Sequence, residues 1–152
     1  MTGLVFLDLS KAFDTLDHSL LLDKLVHSFG FSTSAIQWFF SYLTNRSQSV
    51  CVNGMVSEPQ RIDFGVPQGS ALGPLPFIMY VNDISHVVRY SNVEQYADDT
   101  LLYSASDDVN IIESSLSSDL DSVTQWLSAN YLKLNSTKSK IMLVGTHQRL
   151  AS

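Results

Sequence analysis

Cysteine and long apolar runs are nearly absent from this sequence of 152 residues. Its single cysteine, Cys51, excludes a disulfide framework within the chain. No apolar run approaches the roughly 20 residues that a membrane-spanning helix needs. No basic segment precedes the first apolar stretch, as a secretory signal would require. We therefore expect an intracellular protein, nuclear or cytoplasmic, that does not engage a membrane.

Basic residues are also scarce, because nine Lys and Arg stand against fifteen Asp and Glu, for a formal net charge of -6. Enzymes that act on nucleic acids usually present a basic face to the phosphates. Two interpretations follow. Either the chain does not bind nucleic acid, or its acidity belongs partly to a metal site while the basic surfaces lie in parts of the protein outside this sequence.

Apolar periodicity and turn residues predict an α+β fold. The predicted elements are a strand at 4–7, helices at about 17–29 and from 32 or 33 to about 43, a hairpin at 49–57 around Asn53-Gly54, a helix at about 72–88, strands at 93–96 and 100–104, a helix at about 108–129 and a strand at 140–144. Without the second helix and the hairpin, the order is β-α-β-β-α-β. This order is typical of a ferredoxin-like antiparallel sheet with helices on one face. Trp38 and Trp126 lie on amphipathic helices, where we predict core anchors.

Three carboxylates occupy positions where a buried charge is costly. Asp8 ends the first apolar strand, and Asp98 and Asp99 separate the two strands of a hairpin. If these strands are neighbours, Asp8 and Asp98 converge at one edge of the sheet. Oxygen ligands of this kind suit Mg²⁺, and two ions there could activate an attacking hydroxyl and steady a leaving pyrophosphate. The alternative is ordinary turn chemistry, since Asp often bonds to the backbone of turns.

Four segments in fixed order resemble the motifs of reverse transcriptases from non-LTR (LINE-type) retrotransposons. They are FLDLSKAFD at 6–14, GVPQGSALGP at 65–74, YADD at 96–99, and LKLN at 132–135 with Lys138 and the strand at 141–145. The resemblance covers nearly the whole chain. It implies an RNA-directed DNA polymerase that transfers deoxynucleotides to a primer 3′ hydroxyl, and a fold that is the reverse-transcriptase palm.

The resemblance also implies a metal site for two Mg²⁺ ions, for which Mn²⁺ can substitute. Asp8 and Asp98 would be the principal ligands, and we favour Asp98 over Asp99 because adjacent residues on a regular strand face opposite ways. The backbone carbonyl of Leu9 would assist. Lys138 resembles the basic residue that protonates or neutralises the leaving pyrophosphate, with a solvated surface lysine as the alternative.

Three further residues resemble the nucleotide-binding part of the family. Phe13 resembles a steric gate whose ring excludes a 2′ hydroxyl, with a core residue as the less favoured alternative. Gln68 would bond near the sugar and phosphate, and Gly69 would let the backbone approach closely. The alternative for both is a simple Gly- and Pro-rich loop.

The resemblance further implies that residues 1–152 form a partial reverse transcriptase domain, a palm with part of the fingers and no thumb. The expected partners are an RNA template, a DNA primer, deoxynucleoside triphosphates, and the fingers and thumb regions of a full-length protein. Pro76 stands where the family usually has leucine, so it is either tolerated near a helix start or distorts the loop that carries Gln68.

Two other functions stay open. An RNA-templated RNA polymerase would share the paired aspartates, but Phe13 argues against it because a bulky gate excludes ribose. An inactive retroelement relic, or a domesticated palm acting as a scaffold, would keep the fold without the chemistry. In this second case the change Asp8→Asn would alter nothing measurable.

Overall fold

The computed structural model describes residues 1–146 of the chain. These residues form two compact units, of which the first contains residues 1–12 and the described residues from 81 onward, and the second contains residues 13–80. The strands are β1 (Thr2–Leu7), β2 (Arg46–Gln48), β3 (Cys51–Val52), β4 (Met55–Val56), β5 (Gln60–Ile62), β6 (Asn92–Tyr96), β7 (Asp99–Ala105) and β8 (Lys140–Val144). The helices are α1 (His18–His27), α2 (Thr33–Leu43), α3 (Pro74–Val81) and α4 (Val109–Ala129), with short 3₁₀ segments at Ala12–Asp14 and Asn82–Val87.

The first unit is built on a four-stranded sheet in the order β6-β7-β1-β8. Every neighbouring pair is antiparallel. This is the order that the split-βαβ pattern predicts, so the α+β, ferredoxin-like expectation is confirmed. Helix α4 packs across β1 and β7 and also contacts the 3₁₀ segment that follows α3.

Side chains in β1 alternate between the face under α4 and the opposite face, as the strand period of two requires. Val5 and Leu7 are buried, whereas Phe6 is 42 % exposed. Gly3 lies directly under α4. A Cβ atom there would collide with Ile112 and lie 2.8 Å from Leu116 Cδ1, so the absence of a side chain permits the close approach of helix and sheet.

In the second unit, α1 and α2 pack against each other. Each begins with a side-chain N-cap. The side chain of Asp17 accepts a hydrogen bond from the N–H of Leu20 at 2.8 Å, and that of Ser32 accepts one from Ala35 at 3.4 Å. These bonds satisfy N–H groups that have no partner inside the helix, so the predicted helix starts are confirmed.

The Asn53-Gly54 pair forms the predicted tight turn, with φ of 51° and 79° at its two central residues. Such a pair of left-handed residues matches the twist of the flanking strands β3 and β4. A second antiparallel pair, β2 with β5, was not predicted. Both of these strands are short and mostly polar, and they lack the apolar alternation by which a strand is recognised.

The predicted helix at 72–88 is wrong in its extent. The α-helix covers only Pro74–Val81, because Leu72 and Gly73 form a turn anchored on Ser70, and residues 82–87 wind into a 3₁₀ segment. Asn82 and Asp83 at the junction are weak helix formers, whose side chains compete for backbone groups. Pro76 is the third residue of α3 and is fully buried. It is accommodated in the first turn, where its missing N–H costs little.

The two tryptophans differ in how far they are buried. Trp126 is 9 % exposed and is a core residue of the first unit, as predicted. Trp38 is 50 % exposed, so the prediction of a core anchor is wrong for this residue. The buried face of α2 is instead formed by Phe39 and Leu43.

Candidate active site

The three candidate metal-binding aspartates lie at one end of two neighbouring strands of the first unit. Asp8 follows β1 directly, and the antiparallel register pairs Leu7 with Thr100. Asp8 therefore lies at the same end of the strands as Asp99. Asp8 and Asp98 are partly buried, whereas Asp99 is exposed. The fold therefore brings together carboxylates that are remote in sequence.

The turn between β6 and β7 contains only Ala97 and Asp98, since Tyr96 pairs with Asp99. Ala97 has φ of 54°, a left-handed conformation that is uncommon for a residue with a side chain. Asp99 belongs to the strand, whereas Asp98 occupies the turn itself. The two neighbouring aspartates thus have different backbone conformations.

The backbone after Asp8 is held by the segment that contains Lys138. The N–H of Asp8 donates to Ser139 Oγ at 3.2 Å, and the Asp8 carbonyl accepts from the N–H of Asn135 at 2.8 Å. Leu9 forms an isolated bridge with Leu134. Two hydrogen bonds flank this bridge, from Ser10 N–H to the Lys133 carbonyl and from Asn135 N–H to the Asp8 carbonyl. Lys138 is exposed in the turn at 135–139.

This donor set suits Mg²⁺ in its chemistry. Within residues 1–146, no group of three or more His, Cys, Asp or Glu side chains is placed to hold a metal ion. A magnesium ion bound to a polymerase needs no such group, because it takes one or two carboxylates and completes its shell with water and phosphate oxygens. The carboxylates of Asp8 and Asp98 and the Leu9 carbonyl are oxygen ligands of this type.

The second unit contains a cleft of about 490 Å³ that joins two of the sequence motifs. Phe13 lines one side, and the loop with Gln68 and Gly69 lines the other. The ring of Phe13 packs on the fully buried Phe77, with centroids 4.5 Å apart and planes inclined by 35°. Phe13 is itself only partly buried, so it combines a packing contact with a surface in the cleft.

Gln68 is oriented by a residue that the sequence alone did not single out. Its Nε2 donates to Asp14 Oδ1 at 2.7 Å. Asp14 directly follows Phe13, so the hydrogen bond ties the glutamine to the segment that carries the gate candidate. Gly69 has φ of 78° with no atom near the position of a Cβ, which leaves its backbone open to the cleft.

The start of this loop is clamped onto residues 13–18. Val66 donates to the Phe13 carbonyl at 2.9 Å, Gly65 donates to the Leu16 carbonyl at 2.7 Å, and a ring nitrogen of His18 lies 2.7 Å from the Gly65 carbonyl oxygen. A Cβ at Gly65 would lie 2.8 Å from the backbone of Phe13 and Asp14. Only glycine allows this approach, because Gly65 also has φ of 78°.

Asp119, on α4, is a second residue that sequence reasoning missed. Its carboxylate is 1 % exposed and accepts the backbone N–H groups of Arg89, Tyr90 and Ser91 as well as the Ser91 hydroxyl. Burial raises the pKa of this carboxyl, but the hydrogen bonds outweigh burial, so the pKa lies below its ordinary value. A signal was present, since Asp119 shares the buried face of α4 with Leu116 and Val123.

The predicted site residues thus fall into two groups. The first unit places Asp8, Leu9, Asp98 and Asp99 at one sheet edge, with the Lys138 turn bonded to the backbone of Asp8. The second unit places Phe13, Gln68 and Gly69 around one cleft. The roles of these residues stay predictions.

An antiparallel sheet in ferredoxin-like order, with paired aspartates at the strand ends, defines the palm class of polymerase folds. Residues 1–150 match the family model described as reverse transcriptase (RNA-dependent DNA polymerase), and the chain belongs to this family.

The curated relatives are polymerases of non-LTR retrotransposons, as the motifs predicted. The chain is 31 % identical over 140 residues to the RNA-directed DNA polymerase from the mobile element jockey of Drosophila melanogaster, covering 88 % of the chain and 15 % of the relative. It is 32 % identical over 142 residues to the probable RNA-directed DNA polymerase from transposon BS of the same species, covering 89 % of the chain and 16 % of the relative. The chain therefore spans about 15 % of the length of these relatives.

Solved structures confirm the fold. Apo telomerase from Candida tropicalis aligns with a TM-score of 0.72 at 13 % identity, over 93 % of this chain and 28 % of that one. Telomerase from Candida albicans, in complex with a fragment of telomeric RNA, aligns with a TM-score of 0.68 at 15 % identity, over 95 % of this chain and 27 % of that one. No helix within the described residues is long and apolar enough to cross a membrane.

Proposed function

We propose that this chain is the palm, with part of the fingers, of an RNA-directed DNA polymerase that adds deoxynucleotides to a DNA primer on an RNA template. The observation that carries the proposal is the register of β1 and β7, which sets Asp8 at the same sheet edge as Asp98 and Asp99. Family membership and the identity to retrotransposon polymerases support it. Because RNA templates occur inside the cell, we infer that the protein acts in the nucleus or the cytoplasm.

In this proposal the carboxylates of Asp8 and Asp98 would hold two Mg²⁺ ions, with the Leu9 carbonyl and Asp99 in supporting roles. Bound ions would supply Lewis-acid activation of the primer 3′ hydroxyl and compensate the charge that develops on the phosphate oxygens. The primer 3′ hydroxyl gives up its proton to solvent water, and its oxygen forms a bond to the α-phosphorus of the nucleotide. The bond from that phosphorus to the pyrophosphate oxygen breaks, and pyrophosphate leaves. Lys138 supplies a positive charge or a proton to that leaving group.

The cleft in the second unit binds the sugar of the incoming nucleotide in the same proposal. The Phe13 ring rests on Phe77, which supports it at the cleft. There it would face the sugar and exclude a 2′ hydroxyl. Gln68, held by Asp14, presents its amide to the sugar and phosphate. The open backbone at Gly69 allows close approach of the nucleotide.

The experiment that tests the proposal measures Mn²⁺ binding by electron paramagnetic resonance, with Mg²⁺ as competitor, alongside primer extension on an RNA template. The proteins compared are the parent chain, Asp98→Asn and Asp121→Asn. Asp121 is an exposed aspartate on α4 and provides the matched control. We expect at least a tenfold weaker affinity for Mn²⁺ in Asp98→Asn and no change in Asp121→Asn, because the lost carboxylate is a direct ligand of a hard cation.

Two results contradict the proposal. One is Mn²⁺ binding that is equal in the parent and in Asp98→Asn, which favours a palm retained as a scaffold. The other is extension product that persists in Asp98→Asn. The gate is examined separately with Phe13→Ala, which should gain use of ribonucleotides relative to deoxynucleotides.

A further inference from the structure

Helix α2 presents an ordered aromatic pair to solvent. Trp38 is 50 % exposed, and its ring stacks on that of Tyr42 with centroids 5.6 Å apart and planes 5° from parallel. Large aromatic side chains are usually buried, because each can remove a large apolar area from water. Trp38 is the exposed member of the pair and Tyr42 is half-buried, so the stacking surface that faces solvent is that of Trp38.

A cation extends this surface. The Arg46 guanidinium lies 5.8 Å from the centroid of the Tyr42 ring, and its Nη1 donates to the Tyr42 carbonyl at 3.3 Å. Within the described residues, Arg46 has no ion-pair partner. Trp38, Tyr42 and Arg46 therefore form a continuous stack, here named the stacking stripe. Its charge is left free for an external anion.

The surrounding sequence favours an anionic ligand. No Asp or Glu occurs between Asp23 and Glu58, although the chain contains fifteen acidic residues and has a net charge of -6. Lys24 and Arg46 are the only Lys or Arg in that interval. The stripe thus lies in a stretch without carboxylates, where a polyanion meets no like charge from its immediate sequence neighbours.

The stripe is connected to the nucleotide cleft within the same unit. The Tyr42 hydroxyl lies 2.7 Å from Ser70 Oγ. Ser70 in turn donates to the Pro67 carbonyl and accepts from the N–H of Gly73, so it fixes the loop that carries Gln68. A polyanion bound to the stripe would therefore lie next to the loop that lines the cleft.

We propose that the stacking stripe binds single-stranded RNA, with an unpaired base stacked on Trp38 and the adjacent phosphate paired with Arg46. Aromatic platforms with an arginine nearby are the usual way to hold unpaired nucleotides without reading their sequence. This inference rests on the proposed function, since it assigns the stripe to the unpaired part of the template. DNA offers the same bases and phosphates, so both nucleic acids belong in the test.

The experiment measures binding of fluorescein-labelled oligo(U) and oligo(dT), each of 12 nucleotides, by fluorescence anisotropy at several salt concentrations. Trp38→Leu and Arg46→Gln are compared with two controls. Phe40→Leu removes an aromatic ring that is 54 % exposed on the same helix but lies outside the stripe. Arg61→Gln removes an exposed arginine that is already paired with Asp63.

We expect Trp38→Leu to weaken oligo(U) binding by about 5- to 100-fold, as for other single base-stacking contacts. Arg46→Gln should reduce the salt dependence, the slope of log K against log[salt], by about 0.7, the share of one phosphate contact on a single strand. Both controls should bind like the parent. Tighter binding of oligo(dT) than of oligo(U) overturns the RNA assignment, and equal binding by all variants overturns the stripe as a nucleic-acid site and leaves it to a protein partner.

The metal experiment separates this inference from the proposed function. Trp38→Leu should bind Mn²⁺ like the parent, whereas Asp98→Asn should bind oligo(U) like the parent. If Trp38→Leu binds oligo(U) like the parent while Asp98→Asn loses Mn²⁺ affinity, the stacking stripe fails and the proposed function stands. If Asp98→Asn binds Mn²⁺ like the parent while Trp38→Leu loses oligo(U) affinity, the proposed function fails and the stripe still binds nucleic acid.

Discussion

Asp119 lies on the buried face of α4 and accepts hydrogen bonds from three consecutive backbone N–H groups at residues 89–91. Those residues lead directly into β6, the strand before the Ala97-Asp98 turn. A buried carboxylate is normally unfavourable, but here four donors replace the water that it has lost. Asp119 thus fixes the path of the chain toward the candidate metal site from the opposite end of the strand.

Replacing Asp119 by Asn should destabilise the chain by about 3 kcal/mol, because the amide turns a donor toward N–H groups and leaves at least one of them unsatisfied. Asp121→Asn, an exposed change on the same helix, should stay within about 0.5 kcal/mol of the parent. Urea unfolding of the three proteins measures both values. Equal midpoints for the two variants would show that the N–H groups at 89–91 do not depend on this carboxylate.

The stability that Asp119 contributes should also depend on pH. Its pKa in the folded chain is below the ordinary value, since the hydrogen bonds outweigh burial. The contribution is therefore complete above the unfolded pKa of about 3.9 and is lost as the pH falls below it toward the folded pKa. The difference in urea midpoint between the parent and Asp119→Asn should be constant from pH 8 to 5 and narrow below about pH 4. A difference that is unchanged at pH 3 would refute the linkage.

Among the elements, the loop at 65–73 shows how local conformation and long-range contact combine. Gly65 and Gly69 have the same left-handed φ of 78°. Only at Gly65 does the backbone of another segment, Phe13 and Asp14, occupy the space that a side chain would need. Alanine substitutions at the two glycines therefore separate two costs in the free energy of unfolding: that of a left-handed residue with a side chain, and that of steric overlap with another segment.

We predict that Gly69→Ala costs about 1 kcal/mol, the penalty of placing a side chain in the left-handed region. Gly65→Ala should cost a further 1–3 kcal/mol or so, because its Cβ overlaps backbone atoms that cannot rotate away. Chemical denaturation of the two variants gives the comparison. If they are equally stable, the clamp between this loop and residues 13–18 contributes nothing.

At the scale of the whole chain, β8 is the outermost strand of the sheet among residues 1–146. Within that range it pairs with β1 alone, and every one of its residues is exposed, with Ile141 at 78 %. An apolar edge strand with free backbone groups is a template for pairing with another chain. We therefore expect β8 to mediate self-association of the chain.

The parent chain should self-associate with rising concentration, and Ile141→Lys should reduce this association because a charge on an edge strand must be desolvated on pairing. Val50→Lys makes the same change in net charge at a residue that is 64 % exposed in the second unit, and it should associate like the parent. Sedimentation velocity over a concentration series distinguishes them. Equal behaviour of the two variants would assign the effect to net charge alone.

Local signals in the sequence determined most of the elements and the composition of the candidate site. Asp17 and Ser32 start their helices, and Asn53-Gly54 turns its hairpin, because each acts through backbone groups within a few residues. The motifs likewise contain the aspartates, Phe13 and Gln68 as short contiguous patterns, of the residue types that the proposed metal and nucleotide sites need.

Tertiary structure alone decided which faces are covered and which side chains meet. Trp38 was predicted to be buried because its helix is amphipathic, but Phe39 and Leu43 take the buried face. The partnership of Asp14 with Gln68 and that of Asp119 with residues 89–91 join segments separated by 54 and about 30 positions. No local pattern encodes such pairs, since periodicity reports only the direction of a side chain and not the segment that approaches it.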